Sequence, residues 1–422
     1  MEINKVNLSL FSLFHHDVSG FQANTPTFSD ELWQILQQEP SADVNAIRKE
    51  IVNSISHHTL GIDENEIGLT LTGGFDSRVI LAALLYLGIR PVCFTYGNPE
   101  NKDIQIAKHL CKELGLTFYN VVNEKPETYW YKKWVNETIQ LDHGNSHLHR
   151  SHRTAAIAEL TKEQPLKVLF TGHLGGENIR GLSYNDYFAS PFFEQFNEGK
   201  MSIEQGVEEQ LKRYFINLDN SEKNSLITKI RNLPWMSADK QRNKLYFVND
   251  LVGDIHHQQD IRLYSHYVEK VVPVFMQPNY RKTLAASEHH FMRKLNKKMP
   301  FLDHPKLYVE LIDILFSPLL EYDLSNGYKP ADYKRGMTNY LIKRAWKKFV
   351  VRPENTPSFS YKNWYSDYVR ENASKISDEI WTFYNKNEYF ESFNSELHQG
   401  NEGFWHRYSN PIFFDLSLKL NK

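Results

Sequence analysis

Thr72-Gly73-Gly74-Phe75-Asp76-Ser77 concentrates more potential chemistry than any other short run of this chain. Adjacent glycines permit a tight turn and close approach of backbone to a ligand. Thr72 and Ser77 add hydroxyl donors, and Asp76 adds a carboxylate of the type that ligates magnesium beside nucleotide phosphates. The apolar run Ile67–Thr72 before it has strand character, and Asp76–Leu87 after it has helical period. A strand entering a glycine loop and then a helix turns backbone N–H groups and a helix N-terminus toward a phosphate. The plain alternative is a strand-to-helix turn with Asp76 or Ser77 as its cap. A chance Gly-Gly-x-Asp-Ser, at about one in a hundred for a chain of this size, weighs against it.

Three further segments hold candidate ligands. Val92-Cys-Phe-Thr-Tyr-Gly-Asn-Pro-Glu100 reads as a strand that runs through Thr95 into a loop at a strand–helix junction. Val168-Leu-Phe-Thr-Gly-His-Leu-Gly-Gly-Glu-Asn-Ile-Arg-Gly181 ends a strand in a glycine-rich acidic loop containing Gly172 and Glu177. Asp142-His-Gly-Asn-Ser-His-Leu-His-Arg-Ser-His152 gathers four histidines and Arg150. Its spacing fits no standard zinc pattern, so substrate recognition is the better reading, with Arg150 as a fork for a substrate carboxylate. The doublets beginning at His15, His57, His256 and His289 have no ligating spacing and read as surface or packing residues.

The elements that must position these groups alternate. Strands are expected at Ile67–Thr72, Pro91–Tyr96, Leu116–Val122 and Lys167–Thr171, with helices at Asp76–Leu87, Ile104–Leu114 and Arg153–Glu163. This is the order of an α/β doubly wound parallel sheet, whose ligands sit at the carboxyl ends of strands. Residues 1–60 form a lead-in with helices at Ser29–Gln38 and Ala46–His57; 61–190 form the α/β core; 191–422 form a mainly helical C-terminal part. Ile203–Phe215, Lys306–Phe316 and Tyr333–Phe349 carry its helical period.

A net charge of -2 supplies no basic field for a nucleic acid or an anionic membrane. The two cysteines, Cys93 and Cys111, form no CxxC pair, which excludes a disulfide scaffold and thiol-based sulfur transfer and fits a reducing, cytoplasmic setting. No secretion signal is read in the first residues, and the apolar stretch Val79–Leu87 is about half the length of a membrane span.

Leu69-Thr-Leu-Thr-Gly-Gly-Phe-Asp-Ser-Arg78 resembles the Ser-Gly-Gly-x-Asp-Ser loop of the ATP pyrophosphatases, and within them the synthetase domain of asparagine synthetase-like proteins. The resemblance covers roughly residues 60 to 370 and implies an adenine nucleotide α-hydrolase-like fold. It implies that Leu71, Thr72, Gly73, Gly74, Asp76, Ser77, Thr95 and Gly172 bind ATP, with Mg2+ held by Asp76 and a second carboxylate. In that family the second carboxylate is an aspartate of the loop after the later strand. Gly176 stands there without a gap, and a shift of one residue at Leu174 brings Glu177 into its place. Both Met299-Pro-Phe-Leu-Asp-His304 and Val272-Pro-Val-Phe-Met-Gln-Pro278 resemble a later family turn. Where the family's last segment delivers a lysine to the reacting phosphate, this chain has Glu354. Lys347, Lys348 or Lys362 must then reach the site, Lys348 being the candidate among them.

The chemistry so implied is adenylation of a small-molecule or peptide carboxylate by ATP, then amide formation. Glu2 occupies the position of the family's nucleophilic cysteine, so no glutaminase activity is expected. The amine is free ammonia, an amine within the same substrate as in β-lactam synthetases, or one delivered by a partner protein. Gly176 and Glu354 also motivate an alternative, a catalytically impaired nucleotide-binding regulator or scaffold.

Overall fold

A computed structural model describes residues 4–14, 18, 26–121, 128–181, 189–295, 300–325, 327–349, 361–396 and 402–420. Strands β1 (Ile67–Thr70), β2 (Val92–Tyr96), β3 (Phe118–Val121), β4 (Val168–Thr171) and β5 (Lys270–Pro273) form one sheet in the order β3-β2-β1-β4-β5. Every neighbouring pair is parallel, with Leu69 opposite Cys93 on one side and Phe170 on the other. From β1 the chain winds outward to β2 and β3, then returns to lay β4 and β5 on the other side. The switch point, where α/β sheets open a crevice, therefore lies between β1 and β4.

Both faces of the sheet are covered, which is why its strands are apolar runs without polar alternation. Leu69, Cys93, Val168, Phe170 and Val272 point into a core closed by helices Val44–Thr59, Phe75–Tyr86 and Pro300–Phe316. Val92, Phe94 and Leu169 point the other way, onto Ile157 and Leu160 of helix Ser151–Glu163 and onto Tyr264. The doubly wound α/β architecture expected from the sequence is present.

The lead-in contributes to the core. Asp43 caps helix Val44–Thr59 by accepting from the Ala46 N–H, and Ile47, Ile51 and Ile55 at helical spacing lie buried under the sheet. The mainly helical C-terminal part also supplies β5 and the helix Pro300–Phe316 that packs on Phe75–Tyr86. Elsewhere this part builds two helical cores. One surrounds Trp235, and the other joins helices Thr128–Leu141, Tyr361–Asn372 and Glu402–Leu420 through Phe11, Tyr368 and Phe413. A π-helix spans Phe247–His257, a form that concentrates at functional sites. No helix among the described residues is long and apolar enough to cross a membrane.

Candidate active site

Because the strands are parallel, the segments after β1, β2, β4 and β5 emerge at one edge of the sheet. The segment after β1 is Leu71–Gly74. Leu71 still follows the strand, giving its N–H to Phe94 O at 2.9 Å. The chain then turns: Thr72 N donates to Ser77 Oγ at 3.1 Å, and Gly74 N donates to the Thr72 hydroxyl at 3.2 Å. The Thr72 and Ser77 hydroxyls lie 3.3 Å apart. Helix Phe75–Tyr86 starts on Gly74 with no side-chain cap, which leaves the positive end of its dipole directed at the loop. Neither Gly73 nor Gly74 has a left-handed φ, so what they provide is room.

Asp76 lies in the first turn of that helix. Burial raises its pKa to about 6, Glu177 adds to the rise, and the Tyr308 hydroxyl, Arg180 and His257 oppose it. Tyr308 Oη donates to Asp76 Oδ1 at 2.5 Å. The segment after β4 closes against the same carboxylate: a Cβ on Gly175 would lie 2.6 Å from Asp76 Oδ1 and 2.7 Å from Phe275. Leu174, just before it, holds the left-handed φ of 68° and starts the short helix Gly175–Arg180 that carries Glu177. Two carboxylates that repel each other in a partly desolvated site fit a hard divalent cation, whose remaining positions phosphate oxygens and water fill.

Behind Glu177 lies a basic network. His257, at the end of the π-helix, stands with Nε2 at 3.6 Å from Glu177 Oε1, and its ring is 5.1 Å from that of His173. His173 spans Thr171 Oγ1, at 2.8 Å from Nδ1, and Asp260 Oδ2, at 3.3 Å from Nε2. His173, His257 and Asp260 are close enough to share a metal ion. Yet Asp260 already accepts from Arg150 Nη1, at 2.8 and 2.7 Å on its two oxygens, and from Arg153. Two guanidiniums on its one carboxylate make this cluster a poor cation site, and the Asp76–Glu177 pair the better one.

Residues 46–376 match the Asparagine synthase family. The chain belongs to that family. It is on that ground a synthetase of the ligase type that uses ATP. No curated protein matches the chain.

Against that family's layout, the structure brings Thr72, Gly73, Gly74, Asp76, Ser77, Gly172 and Glu177 together at the switch point, with Asp76 and Glu177 in electrostatic contact. A Cβ on Gly172 would touch Asp76 at 3.0 Å. Thr95 lies one strand away, buried near the carboxyl end of β2. Leu71 buries its side chain in the core and gives its N–H to Phe94 O. Lys348 lies on helix Met337–Phe349, but its side chain and those of Lys347 and Lys362, like Glu354, lie outside the described residues. Met299 and the side chains of Pro300–His304 also lie outside them; Val272-Pro273 ends β5, and Val274–Met276 turns beside Gly175.

Two readings of the sequence are corrected. Arg150 is buried and spent on Asp260 and His256, so it is no fork for a substrate. The histidines around it disperse: His147 packs between Phe413 and Asn410, and His152 against Tyr96. His257, read as surface or packing, instead faces Glu177. His15 lies outside the described residues. The sequence also passed over Tyr308, Arg180, His173 and Asp260. The alternation of Gly175, Gly176 and Arg180 one turn later was the available signal for Arg180.

Proposed function

We propose that this chain is an AMP- and pyrophosphate-forming amide-bond ligase that adenylates the carboxylate of a small molecule or peptide. The observation that carries the reading is the Asp76–Glu177 carboxylate pair facing the Thr72–Ser77 loop at the switch point of the sheet. Family membership supports the same chemistry.

In this reading the loop N–H groups and the Thr72 and Ser77 hydroxyls exchange their mutual hydrogen bonds for phosphate oxygens. Asp76 and Glu177 are the residues that would hold magnesium, which would screen the phosphate charge. Tyr308 keeps Asp76 oriented, and its hydrogen bond favours the ionised carboxylate a metal requires. A substrate carboxylate oxygen bonds to the α-phosphorus. The bond from that phosphorus to the bridging oxygen breaks, and pyrophosphate departs with the electron pair. An amine then attacks the acyl carbon, AMP leaves, and the amine gives up its proton.

Incubation with Mg·ATP, labelled pyrophosphate and a panel of amino-acid and peptide carboxylates tests this. Label should enter ATP with the cognate carboxylate, and Asp76→Ala should abolish the exchange while preserving the far-UV spectrum. Exchange that persists in Asp76→Ala removes the assignment. Adding ammonia, or a partner protein as amine source, then distinguishes the second half-reaction.

A further inference from the structure

We propose that Arg180 is a phosphate-contacting catalytic residue, whose guanidinium occupies the space left by Gly176 and neutralises the pyrophosphate that departs from ATP. This rests on the nucleotide reading above and names one more group of the same site.

The observation is steric. Arg180 ends the helix Gly175–Arg180, four residues after Gly176, so the two share a face. Its Nε donates to Gly176 O at 3.3 Å. A Cβ built on Gly176 would stand 2.0 Å from Arg180 Nη2, 2.9 Å from Cζ and 3.1 Å from Nε. The guanidinium therefore fills the volume of a residue-176 side chain, and any side chain there would displace it. One residue earlier, the equivalent volume of Gly175 belongs to Asp76 Oδ1, at 2.6 Å. Consecutive glycines thus admit first the carboxylate from the loop after β1 and then a cation from the same short helix.

That cation acts on the site. Arg180 is among the charges that stabilise ionised Asp76, and its field also reaches Tyr308. It is exposed at the carboxyl edge of the sheet, so turning toward a ligand costs it little burial. The side-chain volume at position 176 thus holds a positive group. Asp76 and Glu177 contribute two negative charges that a divalent ion would cancel, and ATP brings further negative charge of its own. When the bond from the α-phosphorus to the bridging oxygen breaks, the electron pair and the new charge settle on pyrophosphate. A planar guanidinium with forked donors suits two of its oxygens.

Calorimetry on the full chain with Mg·ATP, magnesium pyrophosphate and adenosine as probes tests the assignment in Arg180→Met and Arg180→Lys. Arg180→Met is expected to weaken Mg·ATP and pyrophosphate by about tenfold or more, leave adenosine within about twofold, and recover in part in Arg180→Lys. Unchanged pyrophosphate affinity in Arg180→Met, with Mg·ATP still bound, overturns the role of Arg180 and leaves the nucleotide site standing. An equal loss for adenosine means a structural role and overturns it as well. Failure of the unaltered chain to bind Mg·ATP, or binding indifferent to Asp76→Ala, overturns the underlying reading instead.

Discussion

Tyr308 gives its hydroxyl to Asp76 Oδ1 at 2.5 Å while its ring stacks on Phe75 with centroids 5.0 Å apart. One side chain of helix Pro300–Phe316 thereby fixes the first two residues of helix Phe75–Tyr86, which opens on the loop after β1. The contact is polar at the ring's tip and apolar along its body, and the two parts can be separated. Tyr308→Phe keeps the stacking and removes the hydrogen bond, so it should cost about 1 kcal/mol of stability. Because that bond favours the carboxylate, its loss pushes the Asp76 pKa further above about 6. Magnesium-dependent ATP binding should then fall at pH 6.5 and recover toward pH 8. An unchanged pH profile in Tyr308→Phe would remove Tyr308 from the site.

Asp76 itself should show the conflict between function and stability. Its folded pKa is raised from 3.8 to about 6, chiefly by burial and Glu177. An acid raised in this way lowers stability as pH climbs from about 4 to 6, because the unfolded chain ionises first; above about 6 the loss is complete. Asp76→Asn, which still accepts from Tyr308, is expected to stabilise the ligand-free chain at pH 7.5 by about 2 kcal/mol, allowing for the partial exposure of the group. The same variant should lose the stabilisation that Mg·ATP gives the unaltered protein. Urea melts with and without Mg·ATP measure both, and a destabilised ligand-free Asp76→Asn contradicts the argument.

The parts of this site that are legible in the sequence are those written locally. Thr72–Ser77 is readable because its turn, hydroxyls and carboxylate lie within six residues, between a strand and a helix. β1, β2 and β4 announce themselves as apolar runs, since a parallel sheet is covered on both faces. β5 opens the apolar run Val271–Met276, but Pro273 and Pro278 give that run the look of a turn among helices. Tyr308 meets Asp76 across 232 positions, and an aromatic at helical spacing reads as core. Arg150 was misjudged for the same reason: the carboxylate that satisfies it, Asp260, stands 110 residues on. The π-helix is equally hidden, because nothing in Phe247–His257 departs from an ordinary helical period, yet it delivers His257 to Glu177.

A second buried acid lies in that π-helix. Asp250 accepts from the Ser29 hydroxyl, and burial, with the neighbouring Asp254, pushes its pKa to about 7 against the opposing Ser29 bond and Arg281. Protonated Asp250 is therefore the form the fold prefers. Stability should decline from about pH 4 to about pH 7 on its account, by up to about 4 kcal/mol, and level off above. Asp250→Asn mimics the neutral acid and should flatten that slope, with a gain at pH 8 and almost none at pH 4. Denaturant midpoints across this range decide the matter; parallel curves for the two proteins would show that Asp250 ionises freely.

Asp260 presents the opposite case. Although burial alone would raise its pKa, Arg150 and Arg153 hold its carboxyl well below the usual range, aided by His173. Its contribution to stability is full above about pH 4 and is lost as pH falls toward its folded pKa. Removing the carboxylate strands a buried guanidinium, because Arg150 has both Asp260 oxygens on one nitrogen. Asp260→Asn should therefore cost about 3 to 5 kcal/mol at pH 7, and Arg150→Met a similar amount. In the double variant the losses should not add, since either single change already removes the one interaction that the two side chains share. His173 would also lose the acceptor that orients its Nε2, so the segment before Glu177 should loosen and Mg·ATP affinity fall together with stability. Urea denaturation of the two single variants and the double variant measures the coupling. Strict additivity, or a cost below about 1 kcal/mol for Asp260→Asn, would mean that this pair does not brace the loop after β4.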